Sequence, residues 1–190
     1  RRATTPDIGA YEFTPGACTT PPVSGSAFVN PTVVCENTPV SLSLSGSSVG
    51  LGQTYQWQVS PNIGGPFTNL GNSLNNADTT IIAGNATLYY QVVVTCTGNT
   101  SITSPVLLTV NPALPQGTYT INSALLTGGT NYANFAAAKA AMNCGVAGPV
   151  IFNVIAGSGP YNEQLILGSI AGMSAVNTVT FNGNGETIAF

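Results

Sequence analysis

Leu88–Cys96 reads LYYQVVVTC, and its alternation decides the fold class. Leu88, Tyr90, Val92, Val94 and Cys96 share one face, the period-two pattern of a half-buried β-strand. Working outward, Val40, Leu42 and Leu44 alternate with serines, and Tyr55, Trp57 and Val59 alternate with glutamines. Val106, Leu108 and Val110 repeat the pattern once more. Turn signals separate these runs, among them Gly46-Ser47-Ser48, Pro61-Asn62, Gly64-Gly65-Pro66, Gly84-Asn85 and Gly98-Asn99. Short strands punctuated in this way predict a sandwich of about seven strands over residues 28–111. No helical period interrupts it.

Charge narrows the function. Three basic and six acidic residues stand in a chain of 190, and histidine is absent, whereas an ordinary soluble domain is about one-quarter charged. Lys139 is the single lysine, and Asp7, Glu12, Glu36, Asp78, Glu163 and Glu186 lie far apart in sequence. General-base, Schiff-base and imidazole-metal chemistry therefore lose their usual residues. No catalytic residue, metal or other cofactor is expected, and the chain reads as a non-enzyme. A net charge of -3 argues against nucleic acid or an anionic membrane surface as partner. No apolar run approaches the roughly 18 residues of a membrane span, so no membrane insertion is expected. Four cysteines without a CxxC pair point to disulfides in an oxidising compartment. The expected location is secreted or at the cell surface.

Cys35, Trp57 and Cys96 follow one another in the order of the immunoglobulin-like cysteine–tryptophan–cysteine series. With VCENTPVSLSLSG, YQWQVSPN and LYYQVVVTC, residues 28–111 resemble the Ig-like spacer modules of long secreted proteins of the Bacteroidota. Two departures stand out. Cys35 precedes the Val40–Leu44 strand, and Val94 occupies the place of the tyrosine-corner Tyr. The resemblance implies a Cys35–Cys96 bridge, which would staple one end of the sandwich, and a core position for Trp57. It also implies O-glycosylation at Thr79, because Asp78-Thr79-Thr80 matches the pattern that phylum uses on exported proteins.

Residues 118–190 behave differently. FAAAKAAM places Phe135, Ala138 and Met142 on one helical face, with Cys144-Gly145 as the stop. Strands are expected at Pro149–Ile155, Leu165–Leu167 and Thr178–Phe181, with Gly- and Asn-rich corners between them. The succession GTYTI … NYANFAAAKAAMNCGVAGPVIFNV … YNEQL resembles the opening of a right-handed β-helix of the pectin-lyase-like class, in which a short helix plugs the first coil. PDIGAYEF at Pro6–Phe13 is similar to the closing strand of such a β-helix.

The expected organisation is therefore all-β: a closing strand at 1–13, a Pro/Thr linker at 14–27, the sandwich at 28–111, a linker at 112–117, and the cap and first coils at 118–190. Cys18 and Cys144 flank the junctions and either bridge each other or find partners outside this stretch. Arg1-Arg2 is read as the point where a fragment begins.

Other candidate sites give way to plainer readings. Asn72–Asp78 (NSLNNAD) offers one carboxylate where calcium takes several. Asn85-Ala86-Thr87 and Asn99-Thr100-Ser101 are formal N-glycosylation sequons that also serve as turns. Gly157-Ser158-Gly159 and Asn182-Gly183-Asn184-Gly185 lack a P-loop lysine and read as corners. Glu163 stands alone near Tyr161, without the second carboxylate of a glycosidase, and is expected at the solvated surface. The leading expectation is a structural or adhesive repeat segment of an extracellular fibrous or cell-surface protein. Its partners would be neighbouring copies or domains of the same protein, joined by strand pairing, and surface glycans. The alternative is the accessory portion of a secreted polysaccharide-active β-helix enzyme.

Overall fold

The computed structural model describes residues 16–189, so the closing strand expected at 6–13 lies outside the described residues. The chain runs β1 (Ser26–Asn30), β2 (Val33–Cys35), β3 (Pro39–Ser45), β4 (Gln53–Ser60), β5 (Thr68–Asn69), β6 (Thr79–Ile82), β7 (Leu88–Cys96), β8 (Asn99–Ile102) and β9 (Val106–Asn111). It continues through β10 (Gly117–Ile121), β11 (Asn131–Tyr132), α1 (Phe135–Ala141), β12 (Val150–Val154), β13 (Tyr161–Asn162), β14 (Val179–Asn182) and β15 (Ile188–Ala189). Among the described residues the fold is all-β with one short helix. Two compact units form, and they do not follow sequence order. Of the described residues, the first takes those up to Thr32, Pro39–Ile82 and Ala86–Thr109; the second takes Val33–Thr38, Ala83–Asn85 and those from Val110 onward. Residues 33–38 and 83–85, expected inside the sandwich, thus group with the second unit.

In the first unit every strand pairing is antiparallel. One sheet has the order β1-β3-β6; the other joins β9, β7, β4 and β5, with β8 also on β7. The longest pairing, β4 with β7, runs from Gln53 opposite Cys96 to Ser60 opposite Tyr89. The alternation read from sequence sets the core: Val40, Leu42, Trp57, Val92, Val94 and Leu108 are at most 1% exposed. Trp57 faces inward as expected, and its indole N–H donates to the Ala77 carbonyl at 2.6 Å. Outward-facing amides form their own row across three strands: Gln91 donates to Gln58, and Gln58 donates to Asn69, both at 2.9 Å.

In the second unit the sheet is parallel, with the order β11-β10-β12-β14, and β13 pairs in parallel with β15. Val150 of β12 sits beside Val179 of β14, and Tyr161 beside Ile188, so successive passes return after just under thirty residues. Ile121, Val150, Phe152, Val154 and Ala138 are fully enclosed. Phe135, Ala138 and Met142 line the buried face of α1, as the spacing predicts. The second expected strand shifts. Residues 165–167 form none; Leu165 packs partly buried against the core while the strand is Tyr161–Asn162.

Both linkers need correction. Leu51 N–H donates to the Gly16 carbonyl at 2.9 Å, Cys18 N–H to Leu51 at 3.2 Å, and Ser48 N–H to Val23 at 3.0 Å. Residues 16–27 are therefore bound down along the first unit. Leu114 is buried and exchanges backbone bonds with the Gly145–Ala147 turn, so 112–117 belongs to the core of the second unit. Prolines made these stretches look like free spacers, but their remaining N–H and C=O groups still seek partners.

The disulfide connectivity also differs from the expected Cys35–Cys96 bridge, and Cys18 and Cys144 neither bridge each other nor pair outside this stretch. Cys18 bonds Cys96 (Cα–Cα 5.9 Å), and Cys35 bonds Cys144 (Cα–Cα 5.3 Å). The reason is local. Cys18 is held against Leu51, two residues before Gln53, and Gln53 is the register partner of Cys96. Cys35 ends β2 in the second unit, where Cys144 follows α1. The bridges span 78 and 109 residues of sequence, so each stabilises by up to about 4–5 kcal/mol through loop closure. Non-reducing peptide mapping will recover Cys18 linked to Cys96 and Cys35 linked to Cys144. Replacing either pair by serine will lower the denaturant midpoint.

Candidate functional site

Two places in the molecule offer more than packing. The first is the column running across the parallel sheet. Strand register stacks Tyr119 on Phe152 and Phe152 on Phe181. Their ring centroids lie 5.6 and 4.8 Å apart, the second pair stacked at 16°. The closer spacing matches the roughly 4.7–4.9 Å between hydrogen-bonded strands, so one repeat places both backbone and ring. Tyr132 and Phe135 extend the cluster, Phe135 meeting Tyr161 edge-on at 5.2 Å. Beside the rings, Asn182 donates its side-chain amide to Asn153 at 2.7 Å in the same register. At β14, Phe181 is only partly buried, while Phe152 is fully enclosed.

The corners of the second unit are built by carboxylates. Glu163, expected at the solvated surface, instead accepts the Phe135 and Ala136 N–H groups at 2.9 and 2.8 Å. With Asn134 accepting from Ala137 at 2.8 Å, three otherwise orphaned donors at the start of α1 are satisfied. Glu186 accepts from Gly157 and Gly159. The Gly157-Ser158-Gly159 corner is therefore already filled by an anion of the protein itself. Further along, a Cβ on Gly145 would collide with the Ala171 carbonyl and one on Gly172 with the Val146 carbonyl. Both residues also carry positive φ, 88° and 81°, so glycine is required at each.

The second place is a cleft of about 460 Å³ in the first unit. One wall is Ser47, Val49, Gly50 and Leu51; the other is Asn75, Asn76, Ala77 and Asp78; Gln53 and Tyr55 lie at its floor. Gln53 donates to Tyr55 Oη at 2.8 Å and accepts from Ser48 Oγ at 3.1 Å. Among the described residues no buried side-chain nitrogen or oxygen lacks a partner. The Asn75–Asp78 wall is fixed to β4 by reciprocal 2.8 Å bonds between Tyr55 and Leu74, besides the Trp57 bond to Ala77. Asp78 carries its own turn, its N–H donating to Asn76 Oδ1 at 3.2 Å.

The other sequence candidates are dispersed. Thr79 opens β6 opposite the buried Leu42 and is half-buried, whereas Thr80 is exposed. Asn85 and Asn99 are exposed. No three of His, Cys, Asp and Glu gather in a metal-binding group among the described residues. Among the same residues, no helix is long and apolar enough to cross a membrane. The two disulfides fit an oxidising, extracellular setting.

Residues 23–112 match a family model described as Domain of unknown function (DUF8696). The match starts at Val23, bonded to Ser48 in the β3–β4 connection, and ends one residue past β9. No curated protein and no solved structure matches the chain.

Burial raises the Tyr132 phenol above its usual 10.0, and the neighbouring Tyr119 adds to the rise; burial alone raises Tyr90. A raised folded value stabilises the neutral phenol. That contribution is complete below pH 10 and is lost as pH climbs through the folded values. Alkaline unfolding followed by circular dichroism will therefore break upward of pH 10, and Tyr132→Phe will soften the break. Glu163→Ala will cost about 1–3 kcal/mol by stripping two charge-assisted bonds from α1. Chemical denaturation read from second-unit probes will measure that loss.

Proposed function

We propose that this chain is a structural and adhesive segment of an extracellular fibrous or cell-surface protein. In this reading the first unit is an Ig-like sandwich acting as a spacer. The second is the capped opening of a right-handed parallel β-helix, with α1 as its plug. Disulfides spanning most of each unit suit a part that must hold its shape outside the cell.

The observation that carries the reading is the in-register column that runs across the parallel sheet to β14. This strand has β12 on one side, while its other edge carries backbone donors and acceptors with no strand beside them among the described residues. Phe181 and Asn182 carry the ring and amide stacks onto this strand. An edge of this kind accepts a further parallel strand by adding both hydrogen bonds and a ring to the stack. A further strand of the same protein, from its own chain or from a neighbouring copy, would complete it.

Sedimentation velocity and negative-stain electron microscopy of the concentrated chain test this. Assembly into elongated oligomers is expected, and Phe181→Lys, which places a charge on the terminal ring position, will leave monomers. A strictly monomeric, compact particle at every concentration would contradict the proposal.

A further inference from the structure

We infer that the cleft of the first unit is a binding site for a neutral saccharide, a role that does not depend on strand-edge assembly. Its volume of about 460 Å³ lies within the roughly 300–1,000 Å³ of small-ligand sites. The chemistry of its lining is mixed in a particular way. Ser47, Asn75 and Asn76 supply neutral hydroxyl and amide groups, Asp78 the single carboxylate, and Val49 and Leu51 apolar surface.

A sugar ring presents hydroxyls around its rim and C–H groups on its faces, and so needs both kinds of contact together. An anion would find no cation in the lining, and a divalent metal would find one carboxylate where several oxygens are needed. Val49 and Leu51 are 75% and 63% exposed, which leaves their side chains open to lie against a ring face. Asp78 uses one oxygen on the Leu44 N–H at 3.4 Å, and its second oxygen remains to accept from a ligand hydroxyl. A hydrogen bond to a charged group is the strong contact that a neutral polyol can offer.

The cleft is also built before any ligand arrives. The 47–51 wall is tied down by the Ser48–Val23 and Leu51–Gly16 backbone bonds, and the Cys18–Cys96 bridge fixes the segment behind it. Gly50 passes so close to Cys18 that a Cβ there would strike its backbone. The opposite wall hangs on the Leu74–Tyr55 and Trp57–Ala77 bonds. The floor is closed by the satisfied Gln53–Tyr55–Ser48 network. A ligand therefore meets little ordering cost, which leaves a few weak polar contacts enough to hold it.

The test uses the isotopically labelled full chain, titrated by amide NMR with maltotriose, cellotriose, xylotriose and N-acetylchitotriose at millimolar concentration. At least one of the four will shift the amides of residues 47–51 and 74–78 in a saturable manner. Asp78→Asn will weaken that binding by about tenfold or more, the loss expected for a hydrogen bond to a charged group. Leu51→Ser, which alters a side chain that makes no hydrogen bond and leaves the Leu51 backbone bonds in place, will weaken it independently. The inference is overturned if none of the four sugars moves these amides, or if the shifts survive both substitutions.

Discussion

Register is the constraint on which the second unit depends. Parallel strands of one sheet place like positions side by side, so Tyr119, Phe152 and Phe181 fall into one column, as do Asn153 and Asn182. A slip of one residue would turn the whole apolar set to the other face. The column therefore fixes register while it supplies burial. Asn153–Asn182 restricts it further, since a side-chain amide is satisfied only by a partner at the same height. The corners follow suit: Gly145 and Gly172 let successive turns approach more closely than any side chain would allow. The same regularity makes the β14 edge a continuing template, which is the basis of the proposed assembly.

Scarcity of charge is the companion constraint. With few ions to spend on the surface, the second unit uses two carboxylates to satisfy backbone donors at bends. Glu163 closes the start of α1, and Glu186 holds the Gly157–Gly159 corner. Polar satisfaction elsewhere comes from neutral amides, as in the Gln91–Gln58–Asn69 row. The first unit follows the same economy in its cleft, whose floor is a closed network of amide and hydroxyl groups.

Local pattern made part of this legible. Alternation in Leu88–Cys96 identified the inward face of β7, glutamines on both sides of Trp57 gave its direction, and the Phe135, Ala138 and Met142 spacing gave the face of α1. What failed was non-local. The cysteine partners depend on which strand ends meet, and Cys18 reaches Cys96 only because residues 16–18 lie along Leu51. Glu163 looked solvated because the donors it satisfies lie 28 and 27 residues earlier in the chain. Leu165–Leu167 has strand composition, but the pass that contains it pairs instead through Tyr161 and Asn162. The cleft gave almost no signal, since its walls at 47–51 and 75–78 are turn-like stretches that only β4 brings together.

Central to the account is the claim that β14 is where backbone is added. Hydrogen–deuterium exchange of the Val179–Asn182 amides, compared between assembled and dissociated chain, tests it most directly. The account predicts that these amides become as slow as those of Val150–Val154 once the chain assembles. If β14 exchanges at the same rate in both states while assembly proceeds, the added backbone lies elsewhere and the account is wrong.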